Sequence, residues 1–309
     1  MIKYLTHNNI DKTRWDECIR RSFNGNIYAW SWYLDIVHPQ WEALIENNYE
    51  RVMPLTGNRK FGINYLFQPF FTQQLGIFST SQLTEDIVLN FVNAIPKKYR
   101  LTEIRLNAYN KVNYGIDYFK KHRNIELDLI YNYQTIYNNY SNNTKKNLKK
   151  ANKNTLYINR DVNPEHVIKL FRDNKGKEVK HWKDKEYQRL LTLINTAIEK
   201  ECCFVYGVDD EINDTIAGAV FMVSHDKIVF LFSGSDESNQ NNHAITFLID
   251  SVIKEFCEMP LTFDFEGSDD EGLARFYKGF GGKEVYYPEI KRNNFRGILK
   301  FAYQFMAKD

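Results

Sequence analysis

The sequence predicts an α/β chain on mixed (α+β) sheets, arranged as two consecutive domains, residues 1–138 and 139–309. Three observations lead there. Strand-like and helix-like runs alternate along the whole length, which is the pattern of layered α/β folds. The run Ile228 to Phe232 is almost continuously apolar and reads as a central strand covered on both faces. At 309 residues and 36.7 kDa, with 43% hydrophobic residues, the chain is long enough for two ordinary cores.

In the first half a short strand, Ile2 to Leu5, precedes a helix from about Asp11 to Arg21. A second, aromatic helix covers Tyr28 to Val37 and is stopped by Pro39. Strand-like runs follow at Trp41 to Glu46, Glu50 to Leu55 and Gly62 to Phe67. The segment from Gln68 to Phe78 is apolar yet carries Gln68, Gln73 and Gln74, so it either lines a cleft or packs as a loop whose amides satisfy backbone groups. A helix near Glu85 to Ala94 and strands near Glu103 to Leu106 and Ile125 to Asp128 complete this half.

The stretch Tyr140 to Lys153 is a capped basic helix joining the halves. Ser141 or Thr144 serves as its N-cap, and its lysines load toward the C-terminal end, where the helix dipole favours them. It reads either as a solvated face or as a patch for the phosphates of a large substrate. Beyond it come a strand at Asn154 to Asn159, a helix at Pro164 to Asn174, and a long amphipathic helix, Asp184 to Glu199. Strands at Cys203 to Val208, Ile216 to Val223 and Ile228 to Phe232 lead into a helix from His243 to Cys257. A strand at Leu261 to Phe265, a helix at Glu271 to Phe280, strands near Glu284 to Tyr287 and Ile290 to Arg292, and a helical segment at Leu299 to Ala307 close the chain.

Composition removes several classes of function. The balance of 41 basic against 39 acidic residues leaves a net charge of +2, so no global field draws the chain to nucleic acid or membrane. The four cysteines have no ligand spacing and are too few for a disulfide framework, which points to reduced thiols. No P-loop, HExxH helix or GxSxG elbow occurs, and the seven histidines are scattered, so no metal is expected. Without an apolar signal core or a run of ~18 apolar residues, the expected location is the cytoplasm, with no membrane partner.

The unit from Ile228 onward carries the chemistry. A central strand ends in a polar loop, Ser233 to Asn242, and a helix then begins, whose free amides suit a phosphate. From Ile216 to Tyr287 the order of elements resembles the core of the GCN5-related N-acetyltransferase (GNAT) superfamily, in which two neighbouring strands splay around acetyl-CoA. The family's pyrophosphate loop falls on Ser238 to Ala244; of its pattern, Asn239, Gln240, Asn241, Asn242, His243 and Ala244 keep only the final small residue. The stretch Ala274-Arg275-Phe276-Tyr277-Lys278-Gly279-Phe280-Gly281 resembles the family's fourth helix. The basic helix, together with Phe263-Asp264-Phe265-Glu266-Gly267-Ser268, further resembles the Fem-type peptidoglycan-bridge aminoacyltransferases and their acetyltransferase-like relatives, which are tandem GNAT-like folds of about this length.

The resemblance implies that Tyr277 is the general acid toward a leaving thiolate. It also implies that Phe232, Ser233, Gly234, Asn239, Asn241, Asn242, His243, Ala244 and Lys278 contact acetyl-CoA or another acyl-CoA as co-substrate. Asp264 and Glu266 either deprotonate the acceptor ammonium or bind backbone in the following turn. Fem-type enzymes carry a lysine where this chain has Tyr277, with Lys278 one residue late, which turns the expectation from aminoacyl-tRNA toward an acyl-CoA donor. Trp32, Tyr65, Gln73 and Gln74 are the candidates for contacting the acceptor, a small amine, amino sugar or peptidoglycan precursor. Two alternatives stand beside this N-acyltransferase: a tRNA-dependent Fem-type transferase, with Lys145, Lys146, Lys149 and Lys150 on phosphates, and a catalytically degenerate binding protein.

Overall fold

The computed structural model describes residues 1–179, 181–212, 214–236, 243–267 and 269–295. The chain divides into two compact units, one formed by Met1–His122 with the residues from Tyr286 on, the other by Arg123–Val285. This differs from the division expected at 138/139. Two long strands pass from one unit into the other, so the second unit is an insertion into the first rather than a sequel to it.

The first unit opens with β1 (Ile2–Leu5), α1 (Lys12–Arg21), α2 (Ser31–Val37), β2 (Glu42–Glu46) and β3 (Arg51–Leu55). It continues with β4 (Gly57–Lys60), β5 (Ile63–Leu66), β6 (Phe78–Ser79), α3 (Glu85–Ala94), β7 (Tyr99–Arg105) and the start of β8 (Phe119–Asp128). Strands β1, β2, β3 and β6 form one antiparallel sheet in that order. Caps set the helices: the Asp11 carboxylate accepts the amide of Arg14, and the Thr84 hydroxyl accepts that of Ile87. The helix expected over Tyr28 to Val37 is shorter, because Asp16 takes both the amide and the hydroxyl of Ser31, at 2.8 and 2.6 Å, and fixes the helix start there. Strand β4 was hidden by its polar sequence; it forms because Gly57 lets the Tyr99 ring lie against its backbone, where a Cβ would meet the hydroxyl oxygen.

The second unit holds α4 (Tyr133–Asn138), α5 (Asn142–Ala151), β9 (Tyr157–Asn159), α6 (Pro164–Asp173), α7 (Asp184–Glu199), β10 (Cys203–Asp209) and β11 (Thr215–Ser224). Next are β12 (Lys227–Ser235), α8 (Ala244–Phe256), β13 (Thr262–Asp264), α9 (Glu271–Lys278) and β14 (Lys283–Asn293), the last of which runs on into the first unit. Its strand order is β8-β13-β12-β11-β10-β9. Neighbours are antiparallel except β12 and β13, which are parallel and joined through α8. Leu248, Ile249, Val252 and Ile253 of α8 pack into one buried cluster with Phe221, Phe230 and Phe263 of the sheet. Against the other face lies α6, where Gly218 and Gly234 are opposite each other on β11 and β12. A Cβ on Gly234 would lie 2.3 Å from the Val167 carbonyl oxygen, so this helix rests directly on bare sheet backbone.

In the first unit, β4, β5, β7 and the end of β14 are neighbours in that order. Strand β14 is continuous where two short strands were expected, and the helical segment expected at Leu299 to Ala307 lies outside the described residues.

Candidate functional site

The second unit contains a place where two parallel neighbours part. Strand β12 pairs with β13 at Lys227, Ile228 and Val229, opposite Thr262, Phe263 and Asp264. Past that point the chain of β13 stays with β8, the Phe265 amide donating to the Ile125 carbonyl at 3.0 Å. Strand β12 stays with β11 through Ser235. Its far edge, Phe230 to Ser235, therefore runs on without β13 for about 20 Å at the usual rise per residue. Within this run the register against β11 slips at Leu231, since Phe221 faces Phe230 and Val220 faces Phe232. A bulge of this kind re-aims the side chains that follow it. It turns Phe232 and Gly234 toward α6 and leaves Ser233 on the α8 side.

Tyr277 sits at the fork. Helix α9 starts at Asp270, whose carboxylate accepts the Leu273 amide at 2.8 Å, and two turns later it places this ring between the diverging strands. The ring stacks on Phe265 at 5.0 Å and meets Phe230 edge-on at 6.2 Å. It is 8% exposed, and among the described residues its hydroxyl has no hydrogen-bond partner. Burial, reinforced by the charge of Glu266, pushes the phenol well above its ordinary range. Tyr277 therefore stays protonated throughout the neutral range.

The two carboxylates are not equivalent. Asp264 is 4% exposed, and it accepts from Asn124 Nδ2 at 2.9 Å and from the amide of Glu266 at 2.8 Å. Lys227 Nζ lies 3.6 Å away and also bonds Glu126, directly across β8, at 2.6 Å. Burial first and Asp264 second push the Glu126 carboxyl above its usual range. This cluster, drawn from three strands, ties the stem of the fork together. Glu266 is half-buried, lies in the left-handed region at φ 51° two residues past β13, and its charge acts on Tyr277. Local patterning missed Lys227, Glu126 and Asn124, because nothing near any of them in sequence marks the partnership.

The residues expected at a coenzyme are spread over several environments. Phe232 is buried in an aromatic group with Phe171 at 4.8 Å and Trp182 at 6.2 Å, and Gly234 lies under α6. Ser233 is half-buried on the strand edge. Asn239, Asn241 and Asn242 lie outside the described residues. His243 caps α8 in the left-handed conformation at φ 58°, and among the described residues its buried Nε2 has no hydrogen-bond partner. Burial, with Lys150 nearby, holds this imidazole below its usual range, so it is neutral at pH 7. Ala244 is buried in the first turn of α8, while Lys278 is engaged with Glu284 at 2.9 Å. Helix α5, capped by Ser141, packs on α8 and exposes Lys146, Lys149 and Lys150; Lys145 is held by the Asn138 carbonyl at 2.9 Å.

In the first unit the four candidate acceptor residues separate. Tyr65 lines a cavity of about 550 Å³. Gln73 and Gln74 are buried and hydrogen-bonded to each other at 2.6 Å, and Gln74 Oε1 accepts the amide of Ala108, so Gln74 serves loop backbone. The Trp32 ring is tilted against that of Tyr33 at 5.4 Å. Burial pushes the thiols of Cys18 and Cys203 up to about 11 and about 12, so neither is a thiolate at neutral pH. Among the described residues no group of three or more His, Cys, Asp or Glu is placed to hold a metal, and no helix is long and apolar enough to cross a membrane.

No protein family and no curated protein matches this sequence. Solved structures do. FemX is similar with a TM-score of 0.65 over 98% of this chain and 99% of its own, at 12% identity. The C-terminal domain of a putative lysylphosphatidylglycerol synthetase from Agrobacterium fabrum gives 0.56 over 96% and 94%, at 10% identity. A conserved protein of unknown function from Bacteroides thetaiotaomicron also gives 0.56, over 94% and 100%, at 10% identity. At such identities the likeness is one of fold, and it spans both units. The chain shares its fold with FemX and with the lysylphosphatidylglycerol synthetase domain.

Proposed function

We propose that the second unit transfers an acyl group from an activated donor to an amine by direct attack, with the donor's carbonyl at the fork of β12 and β13. The parting of these strands, with Tyr277 between Phe230 and Phe265, is the observation that carries the reading. An acyl-CoA donor fits what the described residues offer: a strand edge that none of them pairs for its amides, and the start of α8 with a His243 nitrogen that none of them bonds for its phosphates. Such a donor supplies a carbonyl activated by a thiol leaving group. The amine attacks that carbonyl, the new C–N bond forms, and the C–S bond breaks. Tyr277 passes its proton to the departing sulfur and regains one from the proton that the new amide nitrogen sheds, so a free thiol leaves. Glu266, less enclosed than Asp264, receives the proton of the acceptor ammonium. Asp264 and Lys227 position the fork. The acceptor is a small amine, an amino sugar or a peptidoglycan precursor.

One observation favours an aminoacyl ester, such as aminoacyl-tRNA, as a second reading. A phenol raised by burial is better matched to an alkoxide leaving group than to the far less basic thiolate. The exposed lysines of α5 beside the start of α8 point the same way. Thermal unfolding separates the two. Saturation with a ligand that binds only the native state stabilises by about 2.7 kcal/mol at 100 times Kd. Millimolar acetyl-CoA is expected to raise Tm by several degrees. A rise with tRNA and none with acetyl-CoA reverses the order, and no rise with either leaves a binding protein that performs no transfer.

A further inference from the structure

The cavity in the first unit has a feature that acyl transfer does not call for. It is roofed by the loop after β5 and floored by one face of β7 and β14, where Arg105 and Glu289 are direct cross-strand neighbours. Its walls include Tyr65, Phe67 and Phe70. Both carboxylates on the floor are engaged: Glu289 is 7% exposed and bonds His122 Nε2 at 3.1 Å, and Glu103 pairs with Lys291 at 3.2 Å. The half-buried Arg105 guanidinium, by contrast, has no ion-pair or hydrogen-bond partner among the described residues. Guanidinium groups in such positions are matched by planar oxyanions, which they bind through paired hydrogen bonds.

The roof is fixed in advance. The Phe67 amide and carbonyl both bond Thr56, at 3.2 and 2.5 Å, and Gln68 bridges from the Thr72 carbonyl to the Arg105 amide, each at 2.9 Å. Phe71 is held in the left-handed region at φ 61°, its carbonyl accepting from the Tyr33 hydroxyl. A bulky residue persists there only when its surroundings over-determine it. The volume is that of a small-molecule site, and its rigidity lowers the entropy lost on binding.

We propose that this cavity binds a small organic oxyanion, a carboxylate or phosphate attached to a planar ring, with Arg105 on the charge and Tyr65, Phe67 and Phe70 around the ring. The site is complete within the first unit and independent of acyl transfer.

The test is ligand-observed NMR titration of the full chain at low ionic strength with phenyl phosphate and N-acetyl-L-phenylalanine; benzyl alcohol and benzylamine serve as controls. At least one anionic probe is expected to bind in the millimolar range or tighter. Its affinity should fall at least ten-fold in Arg105→Gln, and the neutral control should be indifferent to that change. The stronger of the two anionic probes identifies phosphate or carboxylate as the preferred group. Because the Arg105 guanidinium has no partner to lose among the described residues, Arg105→Gln should leave Tm within a degree or two. Equal binding by wild type and variant, tighter binding of benzylamine, no binding of either anionic probe, or a large loss of Tm overturns the proposal. None of these outcomes bears on the acetyl-CoA experiment, which reads the other unit.

Discussion

At the scale of single residues, Tyr277 and Lys227 separate chemistry from architecture. Tyr277→Phe keeps the ring on Phe265 and removes one hydroxyl that has no described partner, so stability should change by less than about 1 kcal/mol. The transfer rate should fall about 100-fold or more if the phenol serves the leaving group. Because burial and Glu266 raise the phenol, its ionisation should produce no alkaline decline below pH 10 in the wild-type profile. Lys227 is the opposite case. Lys227→Met strands the Asp264 and Glu126 carboxylates in the buried stem, at a cost of about 3–5 kcal/mol in urea unfolding at pH 7. The sign with pH follows from Glu126: a carboxyl raised in the folded state holds its proton where the unfolded chain has released it. Stability therefore falls as pH rises through that window, and the variant should recover part of its loss on acidification from pH 7 toward pH 5. Recovery on going alkaline would contradict this assignment of the cluster.

Among the elements, the approach of α6 to the sheet is the most exacting contact. Gly234→Ala drives a methyl into the Val167 carbonyl and the Phe171 amide, at 2.3 and 2.6 Å, both of them backbone that cannot swing aside. A loss of about 1–3 kcal/mol is expected by chemical denaturation, with the rest of the fold retained. An unchanged midpoint would mean that α6 slides freely on β11 and β12. Gly234 also shows where sequence reading succeeds and where it stops. The apolar run just before it announces a central strand, which continues through Ser235 where a polar loop was expected, and α7 spans Asp184–Glu199 as its apolar spacing predicts, because both patterns are local and periodic. That the glycine faces a helix depends on the bulge at Leu231, which no local pattern announces. Gln73 and Gln74 read equally as cleft residues or as loop amides, and Gln74 serves loop backbone, since an amide side chain looks the same in either role. The ion pair of Asp264 with Lys227, and the strand register that sets Arg105 opposite Glu289 on β7 and β14, join residues far apart in the chain.

For the molecule as a whole, a net charge of only +2 makes any binding of polyanions a local property, concentrated on α5. Replacing the exposed Lys146, Lys149 and Lys150 by Gln tests that concentration directly. If aminoacyl-tRNA is the donor, the same triple variant should bind RNA more weakly, and its log–log salt dependence should be shallower by about 2, as three lost phosphate contacts on a single strand require. An unaltered salt slope would remove α5 from the RNA-binding surface. The chain order itself has a consequence for manufacture. Emerging from the ribosome, the first half lacks a strand that lies more than 150 residues downstream, because Ile290, fully buried, and the mate of β7 are both supplied by β14. The second-made half therefore closes first. The first-made one waits with an open sheet edge, the stage at which a nascent chain of this plan is most exposed to mispairing and to holding chaperones.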